Sequence, residues 1–138
     1  MKTLIILSVI ATMMVKGCDN KNIKHQHLPL VDGVYSGTFT LITPTGSLSG
    51  GTSIEINGNR FVATGKANRI PAGGSGSFSL SDDMQTINFV DENFWTADFD
   101  WSLILSGEFV YSFDGENLEF SRHIGDGSTV QRYQLTKK

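Results

Sequence analysis

From Gly33 onward, apolar and polar residues alternate with a period of two. Tyr35, Gly37, Phe39 and Leu41 interleave with Val34, Ser36 and Thr38 up to the turn residues Pro44-Thr45-Gly46. Such alternation predicts a strand with one buried face. The same pattern returns along the chain. Ile54-Glu55-Ile56 and Arg60 to Thr64 flank Asn57-Gly58-Asn59, a hairpin signal whose type I′ turn needs positive φ at both central residues. Ser77 to Leu80 and Thr86 to Val90 flank Ser81-Asp82-Asp83. Leu103 to Phe113 reads as one long strand, Asp114-Gly115 turns it into Asn117 to Ser121, and Asp126-Gly127 leads to Thr129 through Leu135. The glycine-rich Ala72 to Gly76 reads as a flexible or bulged connection. The expectation is an all-β domain, an antiparallel up-and-down meander of about eight strands. Closing it into a barrel removes the exposed edges; an open sandwich is the alternative.

Residues 1–32 follow a different rule. Met1-Lys2 is a short basic start, and Leu4 to Val15 is an apolar run too short to span a bilayer comfortably. Gly17 then precedes Cys18, the only cysteine. This order predicts a signal helix over 1–17. The segment Val15-Lys16-Gly17-Cys18 resembles a bacterial lipoprotein signal, which implies cleavage before Cys18 and acylation of it. An unpaired cysteine is unusual in an exported chain, which supports that reading. A secreted protein cleaved elsewhere and a retained membrane helix are the alternatives. Residues 18–32 are polar and irregular and read as a flexible tether; its roughly 14 residues reach about 45 Å at ~3.3 Å each. The folded domain is expected over 33–138.

Composition sharpens the class more than the activity. Among 138 residues there are 15 glycines and three prolines, in keeping with β-structure and tight turns. Losing Lys2 and Lys16 with the signal takes Lys+Arg from 11 to 9 against 14 Asp+Glu, so the mature domain carries about −5. That balance argues against nucleic acid and against anionic headgroups as partners.

Candidate chemistry concentrates in Asp91 to Trp101, which holds both tryptophans and two phenylalanines among four acids. A surface loop this aromatic needs somewhere for its rings to go. Either Phe94, Trp95, Phe99 and Trp101 plug one end of the barrel, or they form a mouth that contacts a small apolar ligand or a protein. Asp91, Glu92, Asp98 and Asp100 offer hard oxygen ligands but lack EF-hand spacing, so no metal is expected. His25 and His27 read as solvated tether residues, and His123 has no evident acid–base partner. There is no Gly-x-Ser-x-Gly elbow and no phosphate loop, so no catalytic residues, no enzyme activity and no cofactor are expected.

The block Asn93-Phe94-Trp95-Thr96-Ala97-Asp98-Phe99-Asp100-Trp101 with Leu103 to Glu108, together with Gly33 to Gly37 and the ending Tyr133-Gln134-Leu135, resembles small lipocalin-like lipoproteins of Bacteroidota. That resemblance implies an eight-stranded lipocalin-like barrel anchored in the bacterial cell envelope, in the outer membrane, with no assigned catalytic residues. Lipocalins carry Gly-x-Trp on the first strand under an arginine from the last strand. Here Gly33-x-Tyr35 stands in its place, with Arg132 or Arg122 as the stacking cation, so Tyr35 and Arg132 are the candidate barrel-closing pair. The function expected is a lipid-anchored, non-catalytic barrel that binds a small apolar ligand. The alternative is an envelope protein-interaction module, a hydrolase inhibitor or an outer-membrane complex subunit, that uses the 91–101 loop.

Overall fold

The computed structural model describes residues 26–138. The signal segment, Cys18 and the tether up to residue 25 lie outside the described residues. Eight strands follow in chain order: β1 Gly33–Thr43, β2 Gly46–Asn57, β3 Arg60–Ala63, β4 Gly74–Leu80, β5 Thr86–Asp91, β6 Gly107–Phe113, β7 Asn117–Ile124 and β8 Thr129–Lys137. Each pairs antiparallel with the next, and β8 returns to β1 from Tyr35↔Lys137 to Ile42↔Val130. The expected meander is thus a closed eight-stranded barrel, and the open sandwich is excluded. The base is the end where β1 begins; the rim is the end where β5 runs out at Asp91.

The parity of the sequence is the parity of the wall. Tyr35 and Phe39 on β1, Ile54 and Ile56 on β2, Phe61 on β3, Ile87 and Phe89 on β5, Phe109, Tyr111 and Phe113 on β6, Leu118 and Phe120 on β7, and Tyr133 and Leu135 on β8 are all buried. All three tyrosines and six of the nine phenylalanines are among the fully buried side chains. Their rings meet in a continuous run across the lumen. Phe39 lies 4.8 Å from Tyr133, Tyr133 stacks on Phe120 at 4.5 Å, Phe120 is 5.2 Å from Phe89, and Phe89 is 4.9 Å from Phe61. Such edge and offset contacts each add about 0.5–1.5 kcal/mol beyond the area they bury. Small barrels are filled by side chains or hold one ligand, and aromatic rings occupy the middle of this one.

Three segments depart from the sequence reading. Gly58 takes φ +58, while Asn57 stays in β2 opposite Arg60, and neither Asn57 nor Asn59 has positive φ. The loop is therefore Gly58-Asn59, with a single positive φ at its first position as in a type II′ turn. The stretch expected as a flexible connection enters β4 at Gly74. Gly76 lets β4 lie close to β5, since a Cβ there would sit 1.9 Å from the Val90 carbonyl oxygen. The long strand expected over Leu103–Phe113 is shorter. Trp101–Leu103 forms a 3₁₀ turn whose start is capped by the Asp100 carboxylate, which accepts from Ser102 N–H at 2.8 Å, and β6 begins only at Gly107.

The end of the expected tether is built into the barrel. Leu28 N–H donates to the Phe113 carbonyl (3.1 Å) and Phe113 N–H to that of Gln26 (2.9 Å), so His27 pairs parallel to β6. The Tyr111 and Tyr35 hydroxyls donate to the Leu28 and Val31 carbonyls, each at 2.6 Å, and Asp32 accepts from Gly58 N–H at 2.8 Å. Residues 26–32 thus form a strap that closes the base and satisfies two buried hydroxyls, which would otherwise be costly.

Candidate functional site: the aromatic rim

The rim is covered by two loops joined to each other. Residues 64–73 link β3 to β4, and residues 92–106 link β5 to β6. Ala72 N–H donates to the Leu103 carbonyl (3.0 Å), and Leu105 N–H donates to that of Gly73 (2.9 Å). Leu103, Ile104 and Leu105 are buried beneath them.

Arg122 fastens this cover from inside. It occupies the inward parity of β7, two positions past Phe120, and its guanidinium lies 4.4 Å over the Phe109 ring. Its Nε–H donates to Gln131 Oε1 at 2.9 Å, and its terminal nitrogens donate to the Ser102 carbonyl at 2.8 Å and to the Ser106 carbonyl. Gln131, itself buried, also donates to the Ser102 carbonyl at 2.6 Å. Burial pulls the Arg122 pKa below the ordinary guanidinium value. Carbonyl dipoles and a ring face hold the cation, as expected for a half-buried arginine with its donors used.

The four aromatic residues of the 91–101 segment split into two pairs. Trp95 and Phe99 turn toward the barrel, pack against its core and meet edge to face at 5.7 Å. Arg69 from the facing loop lies over both rings, 4.9 Å from Phe99 and 5.9 Å from Trp95. Trp95 Nε1–H donates to Asp91 Oδ2 at 2.6 Å, while Asp91 Oδ1 accepts from Ser75 N–H and from Asn93 Nδ2, each at 2.9 Å. Asp91 is thereby spent on holding the loop. Phe94 and Trp101 face outward: Phe94 is fully exposed and Trp101 is 56% exposed. Trp101 is held by its indole N–H, which donates to the Thr96 carbonyl at 2.9 Å. Trp95 and Phe99 thus take the plugging arrangement, whereas Phe94 and Trp101 are left exposed at the rim.

The acids of the segment divide in the same way. Glu92 pairs with Arg60 through two 2.8 Å bonds across β4, whose intervening Ser75 and Ser77 are small, and that partner lowers the Glu92 pKa. Asp98 accepts from the Thr96 hydroxyl, which with its own backbone N–H holds the carboxyl below the usual range. Asp98 and Asp100 are both exposed and flank Trp101. Among the described residues, no three His, Asp or Glu side chains converge as a metal-ligand group.

Tyr35 and Arg132 do not meet. Tyr35 is buried at the base, edge-on to Phe113 at 5.8 Å. Arg132 takes the outward parity of β8, 3.8 Å from Glu119 on the wall. The closing cation is Arg122 at the opposite end. His27 is built into the strap with its Nδ1 buried, and His25 lies outside the described residues. Arg69 was not singled out from sequence; it sits in a polar loop 26 residues before Trp95, with no periodic pattern to mark it.

Compared with protein-family models, with curated proteins and with solved structures, the chain matches none.

Proposed function

We propose that this protein is a lipid-anchored, non-catalytic barrel of the bacterial envelope that works as a protein-interaction module, with the 91–101 loop as its contact surface. The observation that carries the reading is the fixed outward presentation of Phe94 and Trp101. Exposed aromatic residues on a braced loop are the residue types that dominate protein interfaces, because they bury much area at small entropic cost. The loop is braced three times over, by Asp91, by Arg69 and by Arg122. The ring run from Phe39 to Phe61, which already lies in the lumen, weighs against an apolar ligand there. The sequence supports the remainder of the reading. Cys18 after a short apolar run fits an acylated anchor, and the aromatic block fits a lipocalin-like lipoprotein of the outer membrane.

Native mass spectrometry of the full mature protein, extracted gently from its host envelope, tests this. The expected spectrum shows an acyl mass on Cys18 and no other small molecule at stoichiometric level. A reproducible apolar mass removed by organic extraction would put the ligand-carrier reading in its place. An unacylated Cys18 would remove the anchor.

A further inference from the structure

The base of the barrel carries the one Asn-Gly pair in the sequence, Asn57-Gly58. Spontaneous deamidation is easiest at such a pair, because glycine lets its own backbone nitrogen reach the preceding side-chain amide. Both residues are exposed, and no atom lies within 4 Å of where a Gly58 Cβ would stand. The Gly58 N–H nevertheless has a partner. It donates to Asp32 Oδ1 at 2.8 Å, on the last residue of the strap. The rest of the hairpin is pinned as well. Asn57 stays in the ladder opposite Arg60, and the Asn59 carbonyl accepts from Phe78 N–H at 2.8 Å. Arg60 is itself matched by Glu92.

We propose that Asn57 is a deamidation site held shut by the strap, so that its conversion records opening of the base. The reaction needs only water. The Gly58 nitrogen attacks Asn57 Cγ and the new C–N bond closes a succinimide ring. The Cγ–Nδ2 bond breaks, and ammonia leaves with the proton from Gly58. Water then opens the ring at either carbonyl, to aspartate or isoaspartate at position 57, and nothing is oxidised or reduced. The closed strap opposes the first step in two ways. The amide must give up its proton to become a nucleophile, and a carboxylate that accepts this N–H favours the protonated form. The nitrogen must also swing to within about 3–3.5 Å of Asn57 Cγ, which its bond to Asp32 and the pairing of Asn57 prevent. Asp32 is kept in place by the strap around it, whose Val31 and Leu28 carbonyls accept from the Tyr35 and Tyr111 hydroxyls, each at 2.6 Å. The product acts back on the strap. Either ring opening puts a carboxylate one residue from the N–H that Asp32 grips, and the like charges repel. Isoaspartate also lengthens the backbone at the end of β2. A base that has opened therefore closes less firmly afterwards. The site lies at the end of the barrel opposite the contact loop and stands independently of it.

The test is incubation of the full mature protein in mildly alkaline buffer, with peptide mass mapping to follow deamidation at position 57. The urea-unfolded chain gives the unshielded rate, and the folded protein is expected to convert at least about tenfold more slowly. Asp32→Ala, at an exposed position, raises the folded rate about tenfold, the factor that one charge-assisted hydrogen bond represents. A thermal melt verifies that the variant stays folded. Tyr111→Phe loosens the strap without touching Asp32 or Asn57 and raises the rate about fivefold. Asn57→Asp, a stand-in for the product, speeds amide exchange at Leu28 and Phe113, whose N–H groups join the strap to β6. A folded rate equal to the unfolded one, or unmoved by Asp32→Ala, would overturn the shield. A rate lowered by Asp32→Ala would make the carboxylate a general base and overturn it as well. Indifference to Tyr111→Phe would overturn the link to strap opening, and unchanged exchange in Asn57→Asp would overturn the effect of the product on the base.

Discussion

Raising the pH above 10 should destabilise this barrel steeply, and the slope can be worked from its buried tyrosines. Tyr35, Tyr111 and Tyr133 are each no more than 1% exposed. Burial raises the pKa of all three above the ordinary 10.0, most strongly at Tyr111 and Tyr133. The direction fixes the sign. A tyrosine whose pKa is raised in the folded state stabilises it fully below the unfolded value and withdraws that stability as pH climbs toward the folded one. Each ring that stays protonated in the barrel while its unfolded counterpart ionises costs about 1.4 kcal/mol per pH unit. One unit above the unfolded value, at about pH 11, Tyr111 and Tyr133 together remove about 2.8 kcal/mol, a large part of the 5–15 kcal/mol typical of a domain. Urea titrations between pH 8 and pH 11 measure this directly. Tyr133→Phe and Tyr111→Phe should each flatten the alkaline slope by about 1.4 kcal/mol per pH unit. Tyr111→Phe should also cost about 1 kcal/mol at neutral pH, because the Leu28 carbonyl loses its 2.6 Å donor. A slope unchanged in both variants would refute the buried-hydroxyl account.

Two further outcomes separate the structural rings and cations from those at the surface. Phe120→Ala, which empties the stack on Tyr133 and the contact with Phe89, should cost about 3–5 kcal/mol in denaturant titration, whereas Phe94→Ala should stay within about 0.5 kcal/mol. Arg122→Met should cost about 3 kcal/mol by orphaning the Ser102 and Ser106 carbonyls, with amide exchange rising first at Ile104 and Leu105; exchange that rose equally in β1 would argue against a local latch.

What was legible in the sequence was parity. A period-two pattern says which side chains share a face, and about eight such runs with short turns favour a closed barrel over the open sandwich without deciding between them. Leu118, Phe120 and Arg122 fall on one face of β7, but it is the lipocalin resemblance, not parity, that names Arg122 in the sequence. Gly33-x-Tyr35 also drew attention to Arg132, whose parity puts it on the opposite face of β8 from Tyr133. Parity could not reveal the strap. Its polar, irregular residues look like a linker, and its partner is decided 83 residues later, where the Tyr111 hydroxyl needs a carbonyl. The split of the aromatic block had the same cause. Trp95 and Trp101 sit in similar company along the chain. Only the tertiary placement of Asp91 and Arg69 turns one inward, and only the Asp100 cap, by starting a 3₁₀ turn where a strand was expected, leaves the other at the surface. The contact surface is therefore a product of polar anchors rather than of hydrophobicity. It follows that Asp91→Asn, which keeps the shape but weakens the acceptor for Trp95, should loosen the segment that presents Phe94 and Trp101, read as faster amide exchange across residues 92–101 with β1 and β8 unchanged.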